Sequence, residues 1–330
     1  MSEKIIVSPL DWGLGHATRC VPIIRSFLEQ GAEVEIASAM AHKNFFAQEF
    51  PNLTWHEVPA YDIKYPKHGW QMSFWILGQN RHIKKTMREE NKWLAAQCEK
   101  QKYTQIISDN RFGFFNKKIK SIYITHQLRI AFPPPFTIFE KIGEAWHKGI
   151  MKNFDEIWVP DYKEFPGLAG KLSHPSYADK RIKYIGPLSR LALGKEQETM
   201  GKSIDLLALI SGPEPQRSFF EKYAIKLLAE NPGNHCIVRG LPNEIEVPDL
   251  PFQVFNHLSA ADLRGKILAS RTVLCRSGYS TIMDLALLKA HAILIPTPGQ
   301  TEQIYLAKLY SQSTLGQSLP SAPIKRTGFN

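Results

Sequence analysis

Short apolar runs alternate with longer amphipathic segments along most of the chain, the rhythm of strands joined by helices. Residues 4–8 form the first apolar run, and residues 17–30 carry a helical period that stops at Gly31. A strand is predicted at 32–39, a helix at 42–50 closed by Pro51, and a strand at 53–59. A long helical stretch covers 72–102, followed by strands at 105–109 and 121–125, a helix within 135–153, and strands at 156–160 and 183–186. Residues 194–203 are polar, and the alternation then restarts. Strands are predicted at 205–211, 235–239, 252–255, 272–275 and 292–295, with helices at 215–230, 260–269, 280–289 and 302–310.

Short strands alternating with helices imply parallel sheets covered on both faces. Two such runs joined by a polar linker predict an α/β chain of two doubly wound, Rossmann-like domains facing across a cleft. The expected division is 1–193, a linker at 194–203, and 204–330. A length of 330 residues suits two domains. In such sheets ligands sit beyond the carboxyl ends of the strands, so the loops there are the places to search.

Charge separates the halves. Of the net +10, residues 1–195 carry +9, and residues 64–152 alone hold 17 basic side chains against 6 acidic ones. All seven tryptophans also lie in the first half. Four dispersed cysteines without a CxxC pair argue against a disulfide framework or a zinc knuckle. The N-terminus reads as a strand rather than a signal peptide, and no run reaches membrane-spanning length. A cytoplasmic protein is expected. The stretch 61–93, with Trp70, Phe74, Trp75 and Ile76 beside His82, Lys84, Lys85 and Arg88, suggests peripheral docking on the anionic inner face of a membrane. A core-packed helix with a solvated basic face explains it about as well. No recognition motif for nucleic acid accompanies the charge.

The first strand runs into Asp11-Trp12-Gly13-Leu14-Gly15-His16. A glycine turn there brings a substrate close to backbone N–H groups at a helix start. A dinucleotide fingerprint is disfavoured: Thr18 takes the third glycine position and the second strand ends without an acid. His16 suits general-base work if a carboxylate orients it, and Asp109 ends another strand of the same sheet. The pair is the candidate base; the plain alternative is that His16 caps the helix and Asp109 starts a turn. His126, Gln127 and Arg129 follow a further strand end, as a hydrogen-bonding and cationic loop or a merely solvated one.

In the second half, residues 274–284 (LCRSGYSTIMD) read as strand, small-residue turn and helix start. Backbone amides at Gly278, Ser280 and Thr281, with hydroxyls, suit a diphosphate, and Asp284 lies one turn on, placed for a ribose diol. Ser211 and Gly212 follow the domain's first strand. Gln300, Glu302 and Gln303 follow its last and offer the mix that grips sugar hydroxyls, unless Thr301 is only a helix cap. Arg239 and Arg276 are candidates to hold departing charge, or surface ion-pair residues.

The block CRSGYSTIMDLALLKAHAILIP with GQTEQIYLA resembles the donor-site signature of GT-B glycosyltransferases. The likeness is to the peptidoglycan N-acetylglucosaminyltransferase and UDP-glycosyltransferase group. DWGLGHATR is similar to that group's glycine-rich acceptor loop, and ITHQLR to its acceptor-side His-Glu-Gln loop. The resemblance implies a metal-free, cofactor-free, inverting transfer from a nucleotide sugar, most often UDP-linked, to a sugar or lipid-linked hydroxyl acceptor. It gives Asp284 the ribose, Ser277 to Ser280 the diphosphate, Glu302 and Gln303 the donor sugar, and His16 with Asp109 the base; His257 falls where the group packs the nucleotide base. The chain departs from the pattern in three places: no doubled glycine precedes His16, Gln127 follows His126 directly, and residues 311–330 are too broken by Ser, Pro and Gly for a long terminal helix. Two other classes compete, an epimerase acting on the nucleotide sugar alone and a non-catalytic nucleotide-sugar-binding subunit.

Overall fold

The computed structural model describes residues 3–62, 80–130, 140–192, 201–242 and 244–311. The described chain divides into two compact units, the first ending at Ser189 and the second beginning at Arg190.

In the first unit a parallel sheet of seven strands forms from β1 (Lys4–Pro9), β2 (Glu33–Ser38), β3 (Thr54–Glu57), β4 (Gln105–Asp109), β5 (Lys120–Ile124), β6 (Glu156–Val159) and β7 (Ile182–Tyr184). Their order is β3-β2-β1-β4-β5-β6-β7. The central strands are buried on both faces, which is why Ile5, Ile6 and Val7, or Ile106 and Ile107, need no polar alternation. Helix α1 (Leu14–Glu29) packs Ala17, Cys20, Val21 and Ile24 against Ile5, Val7, Ile36 and Ile107 on one face of the sheet. It ends where Gly31 takes a φ of 81°, a left-handed turn that glycine adopts without a Cβ penalty. Helices α2 (Lys43–Glu49), α3 (Asn80–Lys100) and α4 (Glu140–Met151) complete the unit among the described residues.

Helix α3 carries the described part of the basic stretch. It buries Ile83, Thr86, Glu90 and Leu94, and exposes Arg81, Lys84, Lys85 and Arg88. Trp93 stacks on Phe114 rather than facing solvent alone. Trp70, Phe74, Trp75 and Ile76 lie outside the described residues, as do 312–330, residue 193 and the positions 194–200 of the expected linker. Among the described residues no helix is long and apolar enough to cross a membrane.

The second unit repeats the plan with five parallel strands: β8 (Ile204–Leu209), β9 (His235–Val238), β10 (Gln253–Phe255), β11 (Ser270–Arg276) and β12 (Ala292–Ile295), in the order β10-β9-β8-β11-β12. Helices α5 (Gln216–Glu230), α6 (Ala260–Ala269) and α7 (Tyr279–Leu287) connect them, and α8 (Thr301–Tyr310) follows β12. Ala208, Ile210, Phe220, Ala224, Leu228, Ile237 and Leu274 make its core.

In both sheets the strand order reverses beside the first strand, between β1 and β4 and between β8 and β11. Loops leaving those neighbouring strands diverge to opposite faces and open a crevice at the carboxyl edge. Each unit is thus an α/β, Rossmann-like domain with one place built for a ligand.

Candidate functional site

The crevice of the first unit is formed by the ends of β1, β4 and β5. Pro9 pairs with Asp109 and Asp109 with Ile124, so the loops that follow start level with one another. Helix α1 begins at Leu14, three residues before the sequence reading placed it, and His16 therefore sits in its first turn rather than ahead of it. Gly13, at φ 74° and ψ 177°, makes the entry; that combination is essentially glycine's own.

The structure brings His16 and Asp109 together: Nδ1 of His16 lies 3.1 Å from Oδ1 of Asp109. It also adds Arg19, one turn along α1 on the same face. Arg19 Nε donates to Asp109 Oδ2 at 2.5 Å, and Nη2 donates to Oδ1 of the same carboxylate. Nη2 lies 2.8 Å from His16 Nδ1, and Nη1 lies 3.2 Å from Nδ1 of His126, in the loop after β5. Arg19 and Asp109 are buried, while the His16 side chain keeps 13% exposure. Cys20 Sγ closes the far side at 3.7 Å from Asp109 Oδ2.

The electrostatics follow from this packing. Burial would push the Asp109 carboxyl up, but the Arg19 guanidinium and His16 beside it outweigh burial and hold it well below the usual range. His16 is lowered, first by burial and then by the Arg19 charge, with Asp109 opposing. A guanidinium only donates, so His126 Nδ1 accepts from Arg19 and the neutral ring carries its proton on Nε2. That leaves His126 as a hydrogen-bond donor on its other side.

Around this cluster, Gln127 N donates to Thr125 Oγ1 at 3.1 Å, and Arg129 pairs loosely with Glu144 of α4 at 3.7 Å. Gly15 lies in the first turn of α1, and its carbonyl accepts from Thr18 Oγ1 at 3.0 Å. Asp11, at the head of the glycine turn, accepts from the backbone N–H groups of Tyr61 and Asp62. A cavity of about 550 Å³ opens at the ends of β1, β2 and β3, walled by Asp11, Met40, Glu57, Val58, Pro59 and Asp62 among others. Carboxylates and apolar surface alternate around it.

In the second unit every loop singled out from sequence lies on the carboxyl edge. Ser211 and Gly212 follow β8 and are exposed. Ser277 is buried and donates to the Gln303 backbone carbonyl at 2.8 Å, while Gln303 Oε1 accepts from Thr297 N at 2.8 Å. Gln303 thereby ties the loop after β12 to the one after β11. Gly278 is the N-cap of α7, followed by half-buried Ser280, Thr281 and Asp284; Gln300 stands at the N-cap position of α8 without a side-chain capping hydrogen bond, and the first turn of that helix holds Glu302.

The two arginines are engaged internally. Arg276 is buried over the Phe220 ring, 4.3 Å from its centroid, and donates to the carbonyls of Pro296 and Gln216. Arg239 donates to Glu221 and to Asn256 Oδ1, joining β9 to β10. His257 is half-buried and lowered by burial, with the Arg190 charge adding to the effect. Sequence reasoning passed over Arg19 and Asp11 although both lie within the glycine motif; the i, i+3 spacing of His16 and Arg19 was the available signal.

Residues 251–322 match the family model described as glycosyltransferase family 28 C-terminal domain. The chain is 20% identical to an uncharacterized glycosyltransferase of Methanosarcina mazei over 96% of its own length and 85% of the relative's. Among solved structures it superposes on the glycotransferase of kitacinnamycin with a TM-score of 0.63, at 14% identity, covering 93% of this chain and 83% of that one. It superposes on the spinosyn rhamnosyltransferase SpnG, complexed with thymidine diphosphate, with a TM-score of 0.60, at 13% identity, covering 95% and 85%. These structures share its fold, two Rossmann-like domains.

Proposed function

We propose that this chain, a glycosyltransferase of the GT-B fold, moves a sugar from a nucleoside-diphosphate donor to a hydroxyl acceptor with inversion at the anomeric carbon. The observation that carries the reading is the contact of His16 with Asp109 at the switch point of the first sheet. The base form of His16 is the tautomer whose Nδ1 proton is directed at Asp109, which leaves Nε2 bare toward the acceptor; Arg19 Nη2, 2.8 Å from the same Nδ1, then donates to the Asp109 carboxylate and not to the ring. Nε2 takes the acceptor's proton as that oxygen attacks the anomeric carbon, and the bond from carbon to diphosphate oxygen breaks on the opposite face. His126, donating through Nε2, orients the acceptor, whose remaining hydroxyls suit the carboxylates of the neighbouring cavity.

The donor is assigned to the second unit. The N-terminus of α7 at Gly278 to Thr281 takes the diphosphate, with the positive end of the helix opposing the charge that builds on it, so no metal is called on. Asp284 takes the ribose, and Glu302 with the Gln303 amide nitrogen takes the sugar. Uridine is the base that the sequence resemblance favours; the thymidine diphosphate on a structural neighbour makes thymidine the other one to try.

Thermal shift against UDP, TDP and their sugars tests the donor site. A ligand at a hundred times its Kd stabilises the native state by about 2.7 kcal/mol. The expected result is a rise of several degrees with one nucleotide family, lost in Asp284→Ala. No stabilisation by any nucleotide, or equal stabilisation of the variant, overturns the assignment. With the donor found, His16→Gln is expected to slow transfer by about 10²–10⁴-fold.

A further inference from the structure

The geometry points to Arg19 as a positioning residue for the base: one guanidinium fork pins the Asp109 carboxylate on its Nε–Nη2 edge, brings its Nη atoms to 2.8 and 3.2 Å from the Nδ1 atoms of His16 and His126, and sets its fixed charge against a second proton on the His16 ring. The inference deepens the proposed function and rests on its placement of His16 as the base.

A histidine beside a lone buried carboxylate is drawn toward the cationic form, which cannot accept a proton. Here Asp109 does not act alone. Its charge is matched by a bidentate guanidinium, so His16 meets a nearly neutral pair; when the Nδ1 proton turns to Asp109 Oδ1, Arg19 Nη2 no longer donates to that nitrogen and serves the carboxylate alone. The site therefore keeps the orienting hydrogen bond of an acid–base pair without holding the base protonated. Three elements converge on the one side chain: α1 supplies Arg19, β4 supplies Asp109, and the loop after β5 supplies His126.

A purely structural reading of the Arg19–Asp109 pair is physically weaker. Burying an ion pair is seldom more stabilising than apolar packing of the same volume. On α1 the neighbouring inward positions are Ala17, Cys20, Val21, Ile23 and Ile24, so an apolar residue at 19 would continue the face. Among the described residues, the titratable groups that act on His16 are Arg19 on α1, Asp109 on β4, His126 after β5 and His42 on the short turn Met40–His42, with Cys20 behind Asp109. Of these Arg19 alone is a permanent cation.

Nitrogen-detected NMR of the histidine rings in the intact protein reads the idea without donor or acceptor, so its failure is separable from failure of the functional assignment. The chain has 11 histidines, and His16→Gln identifies the His16 signal. Arg19→Gln is expected to raise the His16 titration midpoint by about one to three pH units, and Asp109→Asn to lower it. Arg19→Gln leaves a buried carboxylate unpaired and risks unfolding. Arg19→Gln/Asp109→Asn has no such charge; compared with Asp109→Asn alone, its midpoint is expected to be higher. A His16 midpoint unchanged or lowered by removing Arg19, in either background, overturns the inference.

Discussion

His147 couples the folded state of the first unit to pH. It projects from α4, is buried, and lies with Nε2 3.1 Å from the Tyr123 hydroxyl. The rings of Tyr123 and Phe112 meet it edge-on at 5.7 and 6.4 Å. Burial pushes its pKa from 6.5 down to about 4, opposed only by the backbone of Gln127. Because the native value is the lower one, the stability is fully present above pH 6.5 and is lost as the pH falls through 6.5 toward 4. Each pH unit between the two values is worth about 1.4 kcal/mol, so roughly 3 kcal/mol is at stake, of which about 2 kcal/mol has gone by pH 5.

The perturbation is His147→Phe, which keeps an aromatic ring in place. Tyr123 retains a partner, since its hydroxyl also lies 3.0 Å from Asn110 Oδ1. Urea melts between pH 8 and pH 5 give the assay. All seven tryptophans lie between Trp12 and Trp158, so their fluorescence reports the unit that holds His147. His16 and His42 are also lowered and contribute to the acid loss, but they are present in both proteins and cancel in the comparison. Wild type should lose about 2 kcal/mol more than the variant over that range. Equal losses, or a steeper one in the variant, would refute the reasoning.

Two further outcomes are expected. Gly13→Ala should cost about 1–3 kcal/mol in the same melts, because its φ of 74° with ψ of 177° strains any side-chain-bearing residue although a Cβ there meets nothing within 4 Å; Gly149→Ala, helical and equally unobstructed, should be neutral or stabilising, and matching effects at the two sites would remove the conformational explanation. The exposed basic face of α3 should carry the chain onto anionic vesicles at low salt, with Lys84→Glu/Lys85→Glu weakening the contact at about 1 kcal/mol per charge removed; absence of sedimentation with such vesicles at low salt ends the membrane proposal.

Much of the architecture was legible because its cause is local. Strands buried on both faces must be apolar throughout, and helices covering them must be amphipathic, so the two periods alternate plainly from Lys4 to Tyr310. The carboxyl-edge placement of Gly13, Asp109, His126, Ser211, Arg239, His257 and Ser277 follows from the same alternation, since a parallel sheet puts every strand-to-helix loop on one side. Direction was not legible. Arg239 and Arg276 stand at strand ends where a phosphate-binding residue would, yet one guanidinium is taken up by Glu221 and Asn256 and the other by the Pro296 and Gln216 carbonyls. Spacing places a Cα; which partner captures a long cationic side chain depends on residues distant in sequence.

Arg19 shows where a stricter reading would have gone further. His16, Arg19 and Ile23 follow one another at helical spacing beside the apolar stripe Ala17, Cys20, Val21 and Ile24. A helix packed on a sheet cannot turn that side outward without exposing the stripe, so an arginine there is drawn inward, and a buried guanidinium requires a buried anion. Asp109, at the end of the strand adjoining β1, is the carboxylate that topology brings within reach. Helical phase thus sets burial, burial demands a compensating charge, and the resulting pair flanks an imidazole whose proton affinity is set by its own burial and by two opposed neighbours.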